Sequence, residues 1–418
     1  MKFAIETFKA GEDLFKCLQA TLGTCGLDEL SFTPGRWERV ADLAAKAGLS
    51  PILFKGLPVA DPSLGIPRDV ISRWFREYLA SAASNNRLYQ HLEQVLASFN
   101  REGIPVILLK GIHLMDTLYP ERAMRTVGDI DILVQPDDKK KATRAMAGLG
   151  YASIDSPLIR DPFDCAYVHS TSGVMVEVHS ELGTDLLQTT DMLSFWERSQ
   201  PIEINGRNAK ALAPDDLLVH LCLHLTRHLL SAEFFPQALR SLYDIVLLIR
   251  RQSDLTDWER VLQVLRRAHK ERHFAVPIVL SERLLHFPPP SYLAELSVTL
   301  AISPGDIDIL KQHVLISCER DLMDIRMPKF MRSSVMADKT SIISGSFKNV
   351  FLSRAELARR YGPSSQWYTA CWKYLVHFHF LIQNNLTPRK WRLGKDTLAL
   401  TTHFKKLASL RDRVGPCR

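Results

Sequence analysis

Hydrophobic positions in the first hundred residues recur at helical spacing. Trp37, Val40, Leu43 and Ala44 mark one amphipathic run, which Gly48 and Pro51 close. A longer pattern begins near Pro67 and carries Val70, Trp74, Tyr78, Leu79, Leu88, Leu92 and Val95 on towards Asn100. Gly103 and Pro105 end it, and the period changes. Val106 to Leu109 is a short apolar run of the buried-strand type, and Gly111 to Leu118 reads as a short helix. Ile130 to Val134 alternates as a strand, and Pro136 opens a Lys- and Ala-rich helix ending at Gly148. Strand signals follow at Tyr151 to Ile154, Ala166 to His169 and Val174 to His179.

After about Pro201 the pattern is helical again, over Pro214 to Leu230, Ala238 to Arg250, Asp257 to His269 and Ala275 to Leu285. Lys339 to Asn349 is rich in Ser and Lys without a period and reads as a linker. The expected fold class is α+β (mixed α/β), a small mixed sheet flanked by mainly helical regions. The expected organisation is a helical region over 1–103, a core over 104–205, a helical domain over 206–335, and a helical region with a basic tail over 336–418.

Composition adds limits rather than identity. At 418 residues, 46% hydrophobic and 24% charged, the chain is long enough for several globular units. Seven scattered cysteines with no C-x-x-C pair argue against a zinc ribbon or a disulfide framework. The first residues, MKFAIETFKAGEDLFK, lack the apolar stretch of a signal peptide. The segment Trp367 to Ile382 is interrupted by Lys373, His377 and His379, too soon for a spanning helix. It reads as a packed helix, with an interfacial helix as the alternative. A cytoplasmic location is the expectation.

The charge of +7 has an address. From Leu386 onward nine basic residues stand against Asp396 and Asp412, which accounts for the whole net charge. Such a tail is either a solvated end or a contact for nucleic acid or a peripheral membrane surface.

The chemistry-bearing segment is Gly128-Asp129-Ile130-Asp131-Ile132-Leu133-Val134. In a strand, residues two apart share a face roughly 6.5–7 Å apart, so Asp129 and Asp131 project together while Ile130, Ile132 and Val134 face the core. Two carboxylates on a buried strand need a compensating cation. A pair of divalent cations in a two-metal phosphoryl-transfer site would supply one. Glu177, on the face shared by Met175 and His179, would complete a triad if its strand lies beside the Asp strand.

D-x-D alone is weak, as the chain itself shows. The same hexapeptide, Gly-Asp-Ile-Asp-Ile-Leu, recurs at Gly305 to Leu310 after Ser303-Pro304, where Asp306 and Asp308 read as acids in the first turn of a helix. The setting distinguishes the first copy. Lys110-Gly111 marks a strand-to-helix turn whose amides can receive phosphate, with Lys110 and Arg125 as nearby cations. His220, His224 and His228 lie four apart on one helical face. They read as a stripe lining a cleft or packing inside it; the glutamate of a zinc H-E-x-x-H motif is missing. If the stripe faces the carboxylates, His224 becomes a candidate substrate contact, as does His179. Arg240 and Asp244 suit an ion pair within one helix.

Taken together, LLKGIHLMDTLYPERAMRTVGDIDILV, a following "LGY" strand and VMVEVHSEL resemble the bacterial family of uncharacterised nucleotidyltransferases, within the polymerase-β-like superfamily. The resemblance extends to Asn85-Asn86-Arg87, HLCLHLTRH and LRSLYDIVLLI, and covers Trp37 to Leu285. It implies a nucleotidyltransferase core in which Asp129, Asp131 and Glu177 are catalytic and hold magnesium. Lys110, Gly111 and Arg125 would then bind the triphosphate. Better-studied relatives carry Gly-Ser or Gly-Gly at the turn, closer to the first aspartate. Here it is Lys110-Gly111-Ile112, with 17 residues between Gly111 and Asp129.

The implied activity is transfer of a nucleoside monophosphate from a nucleoside triphosphate such as ATP to a hydroxyl-bearing acceptor. For that acceptor a small molecule, a peptide, a protein side chain and an RNA end are all open. A nucleotide-binding accessory protein without catalysis and an RNA-directed transferase are the alternatives.

Overall fold

The computed structural model describes residues 2–154, 164–182, 189–230, 235–252, 257–291 and 302–318, with short stretches between 403 and 414. The chain divides into two units. The first comprises Met1–Arg320 with Val414–Arg418, and the second is Asp321–Arg413. The sheet and every candidate site residue belong to the first. The Lys339–Asn349 linker, the Trp367–Ile382 segment and most of the basic tail lie outside the described residues.

The chain opens with helices α1 (Lys2–Thr21), α2 (Pro34–Ala47) and α3 (Ser50–Gly56), followed by the 34-residue α4 (Arg68–Arg101). Helix α2 has Pro34 in its first turn and stops at Gly48, which takes the left-handed conformation. Trp37 and Trp74 are buried and meet edge to face at 6.2 Å, and the Trp37 indole N–H donates to the Leu64 carbonyl. Their apolar area anchors α2 to α4.

Seven strands form one mixed sheet in the order β3-β4-β5-β2-β1-β7-β6. They are β1 (Ile107–Leu108), β2 (Ile130–Leu133), β3 (Tyr151–Ser153), β4 (Asp164–His169), β5 (Met175–His179), β6 (Gln200–Ile204) and β7 (Arg207–Ala211). β1 is antiparallel to β2 and parallel to β7, and β2 runs parallel to β5. Helices α5 (Lys110–Thr117), α6 (Lys139–Gly148) and α7 (Thr189–Arg198) lie between them in the chain. Leu92, Val95 and Phe99 of α4 and Ala142 and Met146 of α6 share one buried cluster with Ile130, Ile132, Val176 and Val178. The alternation of β2 thus sends its isoleucines into this core, each worth about 1.5–3 kcal/mol when fully buried. Its aspartate goes to the other face.

The β6–β7 hairpin is absent from the strand pattern read off the sequence, although its turn is Asn205-Gly206 and both residues have positive φ (48° and 75°). Asn-Gly is a strong short-range hairpin signal. The flanking run Gln-Pro-Ile-Glu-Ile is largely exposed, so its weak hydrophobicity hid it. Helices α8 (Pro214–Leu230), α9 (Ala238–Gln252), α10 (Trp258–Ala268) and α11 (Glu271–Leu285) follow, with α8, α9 and α11 packed together. The repeated hexapeptide falls in the helix Pro304–Ser317, where Ser303 caps the first turn by accepting from the Asp306 amide. One string of six residues is therefore strand in one context and helix in another.

Candidate metal and nucleotide site

Parallel pairing of β2 with β5 sets Asp131 opposite Glu177 and Leu133 opposite His179. The pleat then places Glu177 and His179 on the face that carries Asp131. Among the described residues, Asp131, Glu177 and His179 form a group whose ligand atoms all lie within 4.8 Å of one another. His179 Nε2 stands 3.1 Å from Asp131 Oδ1 and 3.6 Å from Glu177 Oε2. Asp131 is deeply buried, its side chain 6% exposed, whereas Glu177 keeps 33%. Asp129 sits one residue before β2 and outside that tightest group.

Lys110 supplies the nearest positive charge. Its ammonium donates to Asp131 Oδ1 at 2.9 Å. Burial disfavours a charged Asp131, yet Lys110 and the hydrogen bond from His179 outweigh it and hold the carboxyl well below the ordinary range. Asp129 goes the other way: burial and the charges of Asp131 and Glu177 push its carboxyl up to about 6, against the opposing pull of Lys110 and Arg240. Two neighbouring acids are thus driven apart in acidity, as expected of like charges sharing one site.

The turn at Lys110-Gly111 is tight. Lys110 has φ 38°, and a side chain on Gly111 would meet Arg125 Nη1 and Val127 Cγ1 at 3.0 Å. A side chain there would require Arg125 and Val127 to give way by a few tenths of an ångström. Arg125, expected to meet a triphosphate, is instead buried and gripped by Asp244 of α9 through contacts of 2.7, 3.0 and 3.2 Å. The Tyr119 hydroxyl also donates to Asp244 at 2.6 Å. The partner expected for Asp244, Arg240, lies one turn earlier with its Nε buried and without a hydrogen bond. Burial and the neighbouring Arg125 bring Arg240 down to about 10. A guanidinium matched bidentately to a carboxylate outcompetes an i,i+4 pair because both hydrogen bonds form in one plane. No local signal in the sequence announces that partner exchange.

The first histidine of the stripe, His220, lies within electrostatic reach of Lys110, His179 and Asp131. Burial, then the charges of Lys110 and His179, take His220 down to about 3, while Asp131 opposes them. His224 is driven well below its ordinary value by burial and by Lys110, and its Nε2 lies 3.2 Å from that of His228. The stripe is therefore a row of neutral imidazoles beside a cationic lysine. Behind the turn, Asn85 donates to the carbonyls of Arg122 and Arg125, both at 2.8 Å, which fixes the loop leading into β2.

The donor set fits a divalent cation. Two carboxylates supply the hard oxygen ligands magnesium takes, and the His179 nitrogen extends the choice towards manganese.

Residues 33–286 match the family model described as uncharacterised nucleotidyltransferase, more than half of the chain, and the protein belongs to that family. Among solved structures, the chain is similar to an antigenic nucleotidyltransferase-like protein from Paracoccidioides brasiliensis, at 12% identity and a TM-score of 0.30, covering 49% of this chain and 94% of that one. No curated protein matches. Among the described residues, no helix is long and apolar enough to cross a membrane.

Proposed function

We propose that this nucleotidyltransferase moves a nucleoside monophosphate from a nucleoside triphosphate to a hydroxyl-bearing acceptor, with magnesium as the cofactor. The observation that carries the reading is the convergence of Asp131, Glu177 and His179 on two parallel strands, with Asp129 one residue upstream. Asp129, Asp131 and Glu177 would hold the magnesium, as a pair of ions. A metal held there would supply positive charge against the phosphates and a template for in-line attack.

Glu177, the most exposed of the cluster, is the side chain placed to accept the proton of an incoming hydroxyl. Lys110 and the Gly111 amide lie where triphosphate charge needs compensation. Arg125, held through Nε and Nη2 by Asp244, would support the turn from behind. His179 and His224 would line the approach as contacts for substrate, His224 as a neutral imidazole.

Purified protein with labelled triphosphates, magnesium and a panel of acceptors should release pyrophosphate. Asp129→Asn combined with Asp131→Asn should abolish it, and release that survives both changes would sink the assignment. The ion pair already formed between Lys110 and Asp131 favours a second reading, an accessory protein that binds nucleotide without turnover. Calorimetric nucleotide binding with no pyrophosphate from any acceptor would support it.

A further inference from the structure

We infer that the ammonium of Lys110 is an exchangeable stand-in cation: it holds the carboxylates of the site together before metal arrives, releases Asp131 to the metal, and then serves the triphosphate. The inference rests on reading this cluster as a metal and nucleotide centre, and it gives one residue two successive partners.

Three observations lead there. First, the pair is buried. Lys110 is 16% exposed in its side chain, and the oxygen it grips belongs to a carboxylate exposed by 6%. That same oxygen, Oδ1, also receives His179 Nε2 at 3.1 Å. A divalent cation bound through it would face a like charge at hydrogen-bond range, so lysine and metal cannot share it comfortably.

Second, the chain accepts an unfavourable backbone to put a lysine here. Lys110 has φ 38°, a left-handed conformation that favours glycine, and glycine is the very next residue. A turn needed only for its shape would carry glycine at 110. The preceding Leu109 amide donates to the Asp131 carbonyl at 3.0 Å. Backbone and side chain of one dipeptide thus hold both ends of Asp131.

Third, Lys110 answers more than one acid. Its ammonium sits 2.9 Å from Asp131 Oδ1, and the strand register sets Glu177 directly opposite that aspartate. Lysine also suits exchange: its compact ammonium rides on a flexible four-carbon stem, whereas an arginine would lock bidentately, as Arg125 does on Asp244.

The test uses the full chain and manganese as the probe, with free Mn2+ read by electron paramagnetic resonance. Lys110→Met should bind Mn2+ alone on the order of tenfold more tightly than the unaltered protein, a ratio equivalent to about 1.4 kcal/mol. It should bind Mn2+ with ATP more weakly by a similar factor. Lys110→Arg, which keeps the charge and locks on the carboxylate, should bind Mn2+ alone no more tightly than the unaltered protein. A folded Lys110→Met whose affinity for Mn2+ alone is unchanged or weaker overturns the inference, as does unchanged binding of Mn2+ with ATP.

If the Met variant is unstable, Lys110→Gln serves in its place. Folding of either variant should be rescued by millimolar Mn2+, because the metal replaces the missing charge. Variants that stay unfolded at every Mn2+ concentration refute the claim. Failure of the broader functional reading would show separately, as turnover that persists in Asp129→Asn with Asp131→Asn.

Discussion

Asp244→Asn tests whether the site is held from behind by a buried ion pair. The substitution preserves shape and volume, so no cavity forms, and its cost is electrostatic. Asp244 is 2% exposed and Arg125 7%, and three contacts between 2.7 and 3.2 Å join them. Removing one partner of such a pair leaves an uncompensated buried charge, typically about 3–5 kcal/mol. The upper part of that range is expected, because Arg240 stands beside Arg125 and Asp244 is among the acids offsetting it. The Tyr119 hydroxyl would also exchange a charged acceptor for a neutral one.

Urea unfolding followed by far-UV circular dichroism measures the effect. With a slope of about 1–3 kcal/mol per molar urea, the midpoint should fall by roughly 1 M or more. The double change Arg125→Met with Asp244→Asn removes the stranded cation. It should be more stable than Asp244→Asn alone, with a coupling on the order of 1–3 kcal/mol. A single variant losing under about 1 kcal/mol, or a double variant whose cost is the plain sum of the two, would refute the reasoning.

Two further predictions concern backbone and pH. Gly48→Ala should cost about 1–3 kcal/mol, since φ is +68° and the new Cβ would meet Arg240 Nη1 at 2.5 Å. Gly65→Ala, at φ +60° with nothing within 4 Å, should cost only the backbone part, and equal urea midpoints for the two variants would contradict this. Burial takes His113 down to about 4, and burial with Lys110 takes His220 to about 3, so the unfolded chain binds protons more tightly than the fold does. Stability should therefore be full above about pH 6.5 and fall as pH drops towards 4, by at most about 2 kcal/mol per histidine at pH 5. Urea midpoints that rise between pH 7.5 and pH 5 would show the sign to be wrong.

Much of the core was legible because its periods are strong. β2 carries two fully buried isoleucines in strict alternation with Asp131, and α8 begins and ends at the residues its periodicity predicts. The capped helix after Ser303 was legible too, since Ser-Pro followed by acids is a local device. What escaped was whatever local pattern does not encode: the half-exposed β6–β7 hairpin, the pairing of Asp244 with Arg125 instead of Arg240, and the tight grouping of His179 with Asp131 and Glu177.

By itself the sequence determined which residues share a face, because side-chain direction in a strand or helix follows from backbone periods of 2 and 3.6 residues. It determined that Asp129 and Asp131 share a face away from the isoleucines of their strand. Only the tertiary structure decided which acid meets which cation. Asp131 lies 21 positions from Lys110, 46 from Glu177 and 48 from His179, and Asp244 lies 119 from Arg125. Those meetings depend on the strand order β5-β2-β1 and on how α9 docks behind the turn, and no local period carries that information. Charge makes the difference matter, since a buried carboxylate takes its acidity, and so its chemistry, from the partner the fold brings to it.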